Sequence, residues 1–179
     1  MSTSQSVTVN LSEQRASGVD LSATVVGIEA MDAQGSNGPV IFIGDDEDNW
    51  FYGSVYDDQL SGGDGSDWFW AAEGADVIDG GPGTDETLAG ALDFSADGSD
   101  EITGGAGKDE LNGGSHADHL RGSEGDDRLI GGPGPDVLEG DAGDDRLNGS
   151  GGTNSNDGGE GVDTCLRPDP VQGAINCEA

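Results

Sequence analysis

Hydrophobic residues in this chain keep a single nine-residue phase. Phe51, Leu60, Phe69, Ile78, Ile102, Leu111, Leu120, Leu129, Leu138, Leu147 and Cys165 share it, and only Thr87 and Asn156 break the apolar series. Side chains on a strand alternate between faces, so the residues flanking each apolar position point outward. One apolar residue per unit therefore predicts a three-residue strand with its central side chain turned into a narrow core. The residues before each strand are rich in glycine and aspartate. Each unit reads Gly-Gly-x-Gly-x-Asp-x-hydrophobic-x, a glycine turn followed by a strand.

Thirteen such units fit one frame, from Gly44 to Leu88 and again from Ser95 to Leu166. Between them, Ala89 to Phe94 must loop out or form a bulge if the flanking units are to stay stacked. Position six carries Asp58, Asp67, Asp76, Asp85, Asp100, Asp109, Asp118, Asp127, Asp136, Asp145 and Asp163, with Asn49 and Asn154 near the two ends. Position four carries Gly65, Gly74, Gly83, Gly107, Gly125, Gly134 and Gly143, where positive φ lets backbone carbonyls converge. The run Gly125-Asp126-Asp127-Arg128-Leu129 returns eighteen residues later as Gly143-Asp144-Asp145-Arg146-Leu147, so two units make one turn. That places Asp109, Asp127, Asp145 and Asp163 along one edge, and Asp100, Asp118, Asp136 and Asn154 along the other. Repetition at a fixed period outranks local propensity in deciding the fold. The expected architecture is all-β: a parallel β-roll, a flattened right-handed β-solenoid with 18 residues per turn. A flexible acidic linker would also be rich in glycine and aspartate, but it would scatter the apolar residues over all phases.

Charge adds a requirement to this picture. The chain has 37 acidic and 6 basic residues, a formal charge of −31, which makes a compact fold without counter-ions self-repelling. Nucleic acid is excluded as a partner by the same sign. Only 32% of residues are hydrophobic and 34 are glycine, so disorder is the default in the absence of a cation. The donors available are carbonyl and carboxylate oxygens. Calcium takes such hard oxygens in flexible geometry, whereas zinc prefers nitrogen or sulfur and magnesium retains its waters.

These units resemble the RTX (repeats-in-toxin) hemolysin-type calcium-binding nonapeptide repeats over about two-thirds of the chain. The resemblance implies that glycine-loop carbonyls and position-six carboxylates of stacked loops hold multiple Ca2+ ions. It carries over to the matching aspartates and glycines named above. His116 at a glycine position, Asn49 and Asn154 at aspartate positions, and Glu47 and Tyr56 in the first two units depart from the pattern. With loops on both edges, the ceiling is roughly ten ions, whose charge would offset most of the acid excess. Folding is then expected to be coupled to the metal, with affinities suited to extracellular calcium.

The flanks read as caps, since an open coil exposes its apolar interior and unpaired strand edges. Residues 1–43 form an expected N-terminal β segment: Val7 to Leu11 alternates, Val19 to Ala30 is apolar-rich, and Val40 to Ile43 leads into the array over 44–166. Residues 167–179 form an expected C-terminal cap, in which Arg167-Pro168-Asp169-Pro170 cannot continue a strand ladder. Cys165 and Cys177, with no Cys-x-x-Cys spacing, point to a disulfide closing that segment ahead of a metal site, and so to an oxidising compartment. Their Asp-Thr-Cys and Asn-Cys-Glu settings look like those of bacterial secreted calcium-repeat proteins. The start, Met1 to Ser6, lacks the features of a secretory signal peptide, and no apolar stretch is long enough to span a membrane.

Catalytic motifs are missing. There is no His-Glu-x-x-His, no Gly-x-Ser-x-Gly and no phosphate loop, and His116 and His119 do not fall on one face of a strand-and-turn repeat. Asp169-Pro170 resembles the bond cut in some self-processing RTX modules, but a kinked tail is the simpler reading. One surface feature remains. Trp50-Phe51-Tyr52 is matched eighteen residues later by Trp68-Phe69-Trp70, which stacks Trp50 on Trp68 and Tyr52 on Trp70 on the outside of the roll. Such a ladder would suit sugar rings or a surface protein, unless residues 1–43 fold back and cover it, which is the expectation. The functional expectation is a non-enzymatic, secreted calcium-binding module, structural or adhesive. The alternatives are the repeat portion of a larger secreted protease, lipase or toxin and, more distantly, a carbohydrate binder.

Overall fold

The computed structural model describes residues 7–10, 15–18, 21–24, 30–34, 36–89, 98–166, 173–175 and 177. Among these there is no helix, and none of them belongs to a segment able to cross a membrane as a helix. Two parallel sheets form the two broad faces of a solenoid. The 8-stranded sheet stacks Ala30–Asp32, Trp50–Tyr52, Trp68–Ala72, Glu86–Ala89, Glu110–Asn112, Arg128–Ile130, Arg146–Asn148 and Thr164–Leu166. The 11-stranded sheet stacks Val40–Ile43, Gln59–Ser61, Val77–Gly83, Glu101–Gly107, His119–Glu124, Val137–Ala142, Ser155–Asp157 and Gly173–Ile175. Val7–Asn10 joins the latter in parallel beside Val40–Ile43, and Arg15–Gly18 and Leu21–Thr24 extend it as an antiparallel margin. The chain alternates between sheets every nine residues, so the parallel β-roll expected from the eighteen-residue echo is the architecture observed.

Register follows the repeat. Leu111 pairs with Leu129 and Leu129 with Leu147 in one sheet; Ile102 pairs with Leu120 and Leu120 with Leu138 in the other. These side chains meet in the interior and are fully buried, together with Phe42, Phe51, Phe69 and Ile78. Toward the N-terminal end the core is aromatic, with Phe51 stacked on Phe69 at 4.9 Å. The outward neighbours in the three-residue strands are exposed or half-buried, as in Glu110, Leu111 and Asn112. Middle strands of the 11-stranded sheet are longer than the expected three residues. Val77–Gly83 and Glu101–Gly107 reach seven because the ladder continues into the glycine turn.

The interruption is absorbed by a single coil. Glu86 pairs with Glu110 and Val77 with Glu101, each twenty-four residues apart instead of eighteen; the register against Trp68–Ala72 shifts between Leu88 and Ala89, where the insertion begins, and the eighteen-residue spacing resumes after it. Most of the inserted stretch lies outside the described residues, as does Arg167-Pro168-Asp169-Pro170. Parallel pairing also reaches beyond the thirteen-unit frame. Ala30–Asp32 and Val40–Ile43 precede it, and Gly173–Ile175 follows it by pairing with Ser155–Asp157. Cys165 and Cys177 are joined by a disulfide, with Cα atoms 5.7 Å apart.

The described N-terminal strands do not fold over the aromatic ladder. Ala30–Asp32 extends the 8-stranded sheet edge to edge beside Trp50–Tyr52, while Val7–Asn10 pairs with Val40–Ile43 in the opposite sheet. Trp50 keeps 49% of its surface exposed, and Tyr52, Trp68 and Trp70 stay half-buried. Among the described residues of this segment, sheet extension stands where cover was expected: an unpaired strand edge has main-chain groups to satisfy, whereas the outer aromatic face has none.

Candidate metal centre

Every position-six aspartate of the array is buried at the bend between a glycine turn and a strand. Its carboxylate divides its work between two oxygens. Oδ1 accepts a hydrogen bond from the backbone N–H of the position-six residue one coil earlier: Asp109 donates to Asp127 at 2.9 Å, Asp127 to Asp145 at 2.8 Å and Asp145 to Asp163 at 2.9 Å. One ladder runs through Asn49, Asp67, Asp85, Asp109, Asp127, Asp145 and Asp163. The other runs through Val40, Asp58, Asp76, Asp100, Asp118, Asp136 and Asn154. The two edges expected from the period are thus both present, and the second begins one coil early, at Val40.

Oδ2 has a different fate. In Asp67, Asp85, Asp109, Asp127, Asp136, Asp145 and Asp163 it is buried and, among the described residues, meets no hydrogen-bond donor. In the first six of these it lies over the first glycine of its own turn: a Cβ at Gly62 would meet Asp67 Oδ2, and one at Gly122 would meet Asp127 Oδ2. The same imagined Cβ at Gly62 would also meet the carbonyl oxygen of Gly80 in the next coil. A carboxylate oxygen and a carbonyl oxygen from adjacent coils thus face a space kept open by a missing side chain. An anionic oxygen left without a donor in such a cradle costs several kcal/mol unless a cation completes it.

Burial shows in the acidity of these groups. Desolvation pushes Asp67, Asp85, Asp109, Asp127, Asp136 and Asp145 up to about 6, against the opposing effect of the N–H bond each accepts. Asp58 is also raised by burial. No cluster of three or more His, Cys, Asp or Glu side chains capable of holding a metal occurs among the described residues. A metal held at these loops would be met by one carboxylate per loop and by main-chain carbonyls, an all-oxygen set that suits calcium.

Three loops are wired differently. At Asn154, Nδ2 donates to the carbonyl of Gly149 at 2.7 Å, so an amide proton occupies the place where a cation would serve an aspartate. Asp58 Oδ2 instead accepts the N–H of Ser54 at 2.6 Å, and Ser54 Oγ reaches Oδ1 at 2.9 Å. Asn49 makes a reciprocal pair with Asp45 through the Asp45 N–H and its own Nδ2. The departures noted in the sequence at the ends of the array thus coincide with loops that satisfy themselves.

The glycines divide into two kinds. Gly125 has φ 145° and needs the left-handed region, and a Cβ there would fall on the carbonyl oxygen of Gly107. Gly83 and Gly134 do not take positive φ, yet a Cβ on either would strike the carbonyl of the residue one coil back. Coil-to-coil contact, rather than conformation, requires glycine at those two. His116 takes the position-four turn with φ 83°. Position two was not singled out in the sequence, yet it is left-handed through much of the array, including the non-glycine residues Ala72, Ser123, Asp141 and Ser150. The second glycine of the motif was its signal. A further ladder has no signature in the repeat consensus: at position five, Asp126 Oδ1 accepts the N–H of Asp144 at 3.0 Å and Asp144 Oδ1 that of Val162 at 2.9 Å. It runs opposite to the position-six ladder, so each Asp-Asp pair clips the coil before and the coil after.

Away from the edges, His119 bonds Glu139 at 3.3 Å on the outer face of the 11-stranded sheet, where Arg121 also holds Glu139, while His116 sits in a turn. They share no site.

A parallel solenoid whose loops stack carboxylates and carbonyls defines a calcium-binding repeat module. The family model described as RTX calcium-binding nonapeptide repeat (4 copies) matches residues 43–78, 52–87, 94–129, 121–155 and 130–165, roughly two-thirds of the chain. This protein belongs to that family. The matches break between residues 87 and 94, where the insertion falls. A comparison with curated proteins yields no match.

Proposed function

We propose that this chain is a scaffold held folded by calcium outside the cell, acting as a structural or adhesive domain rather than as a catalyst. The observation that carries this reading is the set of buried Oδ2 atoms in Asp67, Asp85, Asp109, Asp127, Asp136 and Asp145, each left without a donor among the described residues over a glycine cradle, together with that of Asp163, which likewise meets no donor there. Those aspartates, with the carbonyls of the turns bearing Gly65, Gly74, Gly83, Gly107, Gly125, Gly134 and Gly143, are the ligands we assign. Asp76, Asp100 and Asp118 belong to the same ladders and join them. Bound calcium supplies positive charge between coils; the chain's own part is to bring the oxygens of adjacent coils together and exclude water from them.

The physical argument is one of coupling. A single unit cannot bury its apolar residue, and stacked carboxylates repel until a cation lies between them, so metal binding and coil stacking proceed together. The Cys165–Cys177 disulfide supports an oxidising, extracellular setting, in which calcium is abundant enough to fill sites with dissociation constants of roughly 10⁻⁴ to 10⁻³ M. Residues 1–43 and 167–179 act as caps that shield the ends of the roll. Calcium titration followed by circular dichroism, with the bound metal counted at saturation, tests the proposal. Strand signal should grow with calcium to saturation at several ions per chain; full strand content already present in chelator at neutral pH would refute it.

A further inference from the structure

The outer face of the 8-stranded sheet carries an aromatic block that the calcium scaffold does not use. Trp50 and Tyr52 lie beside Trp68 and Trp70 in register. Ring centroids are 5.5 Å apart for Trp50 and Trp68, 6.0 Å for Tyr52 and Trp70, 5.2 Å for Tyr52 and Trp68, and 6.2 Å for Trp68 and Trp70. A sugar platform needs neighbouring rings that present coplanar faces. Here the rings facing each other across strands are inclined by 34° and 38°, and the others turn further, by 59° between Tyr52 and Trp68 and by 75° between Trp68 and Trp70. Walls at such angles surround a small group from several sides, which is how aromatic residues hold a cation.

Charge points the same way. Strand register sets Asp32 next to Tyr52 at one border of the block and Glu86 next to Trp68 at the other, and both carboxylates are exposed. On this face the next basic residue beyond Glu86 is Arg128, which is already held by Glu110. The chain's formal charge of −31 exceeds what roughly ten calcium ions could offset, so the loaded roll stays negative, draws cations toward the block and repels anionic polymers.

We propose that this block docks a basic segment of a partner protein, with arginine or lysine side chains on the indole faces and their charges against Asp32 and Glu86. The two acidic borders stand three strand intervals apart, about 14 Å, a distance that about four residues of extended chain would span. The docking needs the folded roll but not any particular role for it, so it stands apart from the scaffold function.

All three tryptophans of the chain lie in this block, so intrinsic tryptophan fluorescence reports on it alone. The full chain saturated with calcium is titrated with a synthetic Gly/Ser peptide carrying two arginines about four residues apart. A saturable fluorescence change is expected. The double variant Trp68→Leu/Trp70→Leu, which keeps Trp50 as reporter and leaves the net charge unchanged, should bind about tenfold more weakly. Asp32→Asn/Glu86→Gln should also weaken binding and flatten its salt dependence. Circular dichroism in calcium verifies that each variant retains the roll, separating loss of docking from loss of fold. Unchanged affinity in the tryptophan variant would mean attraction to a polyanion only and would overturn the proposal. So would equal binding of a peptide with glutamine in place of arginine, or an equal response to a neutral glucose oligosaccharide.

Discussion

Replacing Asp127 by asparagine should act in opposite directions with and without calcium. Burial raises the Asp127 carboxyl from its ordinary 3.8 to about 6, so keeping it ionised in the folded chain at neutral pH costs roughly 3 kcal/mol. Asparagine removes that charge and retains an Oδ1 able to accept the Asp109 N–H. Its Nδ2 can donate to the Gly122 carbonyl, as Asn154 does to Gly149 three units further along on the opposite edge. In chelator at pH 7 the variant should therefore be easier to fold by about 3 kcal/mol. The assay is folding driven by trimethylamine N-oxide and followed by circular dichroism, where the midpoint should move to lower osmolyte. In calcium the same change removes an anionic ligand, and apparent affinity should fall by about an order of magnitude for the ions at that loop. Destabilisation of equal size in both conditions would refute the reasoning, because it would mean the carboxylate is held by the protein's own donors.

Other outcomes follow from the same geometry. In chelator, acid should promote order. Asp67, Asp85, Asp109, Asp127, Asp136 and Asp145 have folded values raised to about 6, so their contribution is complete below about 3.8 and is lost as pH rises through 6; a metal-free chain whose strand signal grows across that interval contradicts it. Thr87→Val should stabilise the calcium-loaded roll by about 1 kcal/mol in chemical denaturation, since Thr87 occupies a core position with its hydroxyl buried and unmatched among the described residues. Gly125→Ala should cost more than about 2 kcal/mol, because φ 145° and the Gly107 carbonyl both oppose a Cβ. Gly151→Ala, where a Cβ meets only the Pro133 Cα at ordinary contact distance, should cost far less in the same melt.

Much of this architecture could be read from the chain because its rules are local and repeated. Apolar residues at one phase of nine, aspartates two positions before them and an echo at eighteen are enough to assign the coil, the inward side chains and the two acidic edges. The six-residue insertion was legible for the same reason, since the frame resumes unchanged after it. Repetition makes each coil a copy of its neighbour, so a local pattern becomes a statement about stacking.

Contacts between coils belong to the tertiary structure alone. How each carboxylate divides its oxygens, with Oδ1 bound to the previous coil and Oδ2 left over a glycine, depends on an approach between loops eighteen residues apart. The need for glycine at Gly83 and Gly134 has that same origin, because their own backbone angles do not demand it. The self-satisfied loops at Asn49, Asp58 and Asn154, the extra strand Gly173–Ile175 beyond the C-terminal end of the array and the tilts of the aromatic rings likewise depend on which groups meet in space. A periodic sequence determines where each residue falls on the coil; only the stacked coils decide which of its atoms find a partner and which are left for a cation.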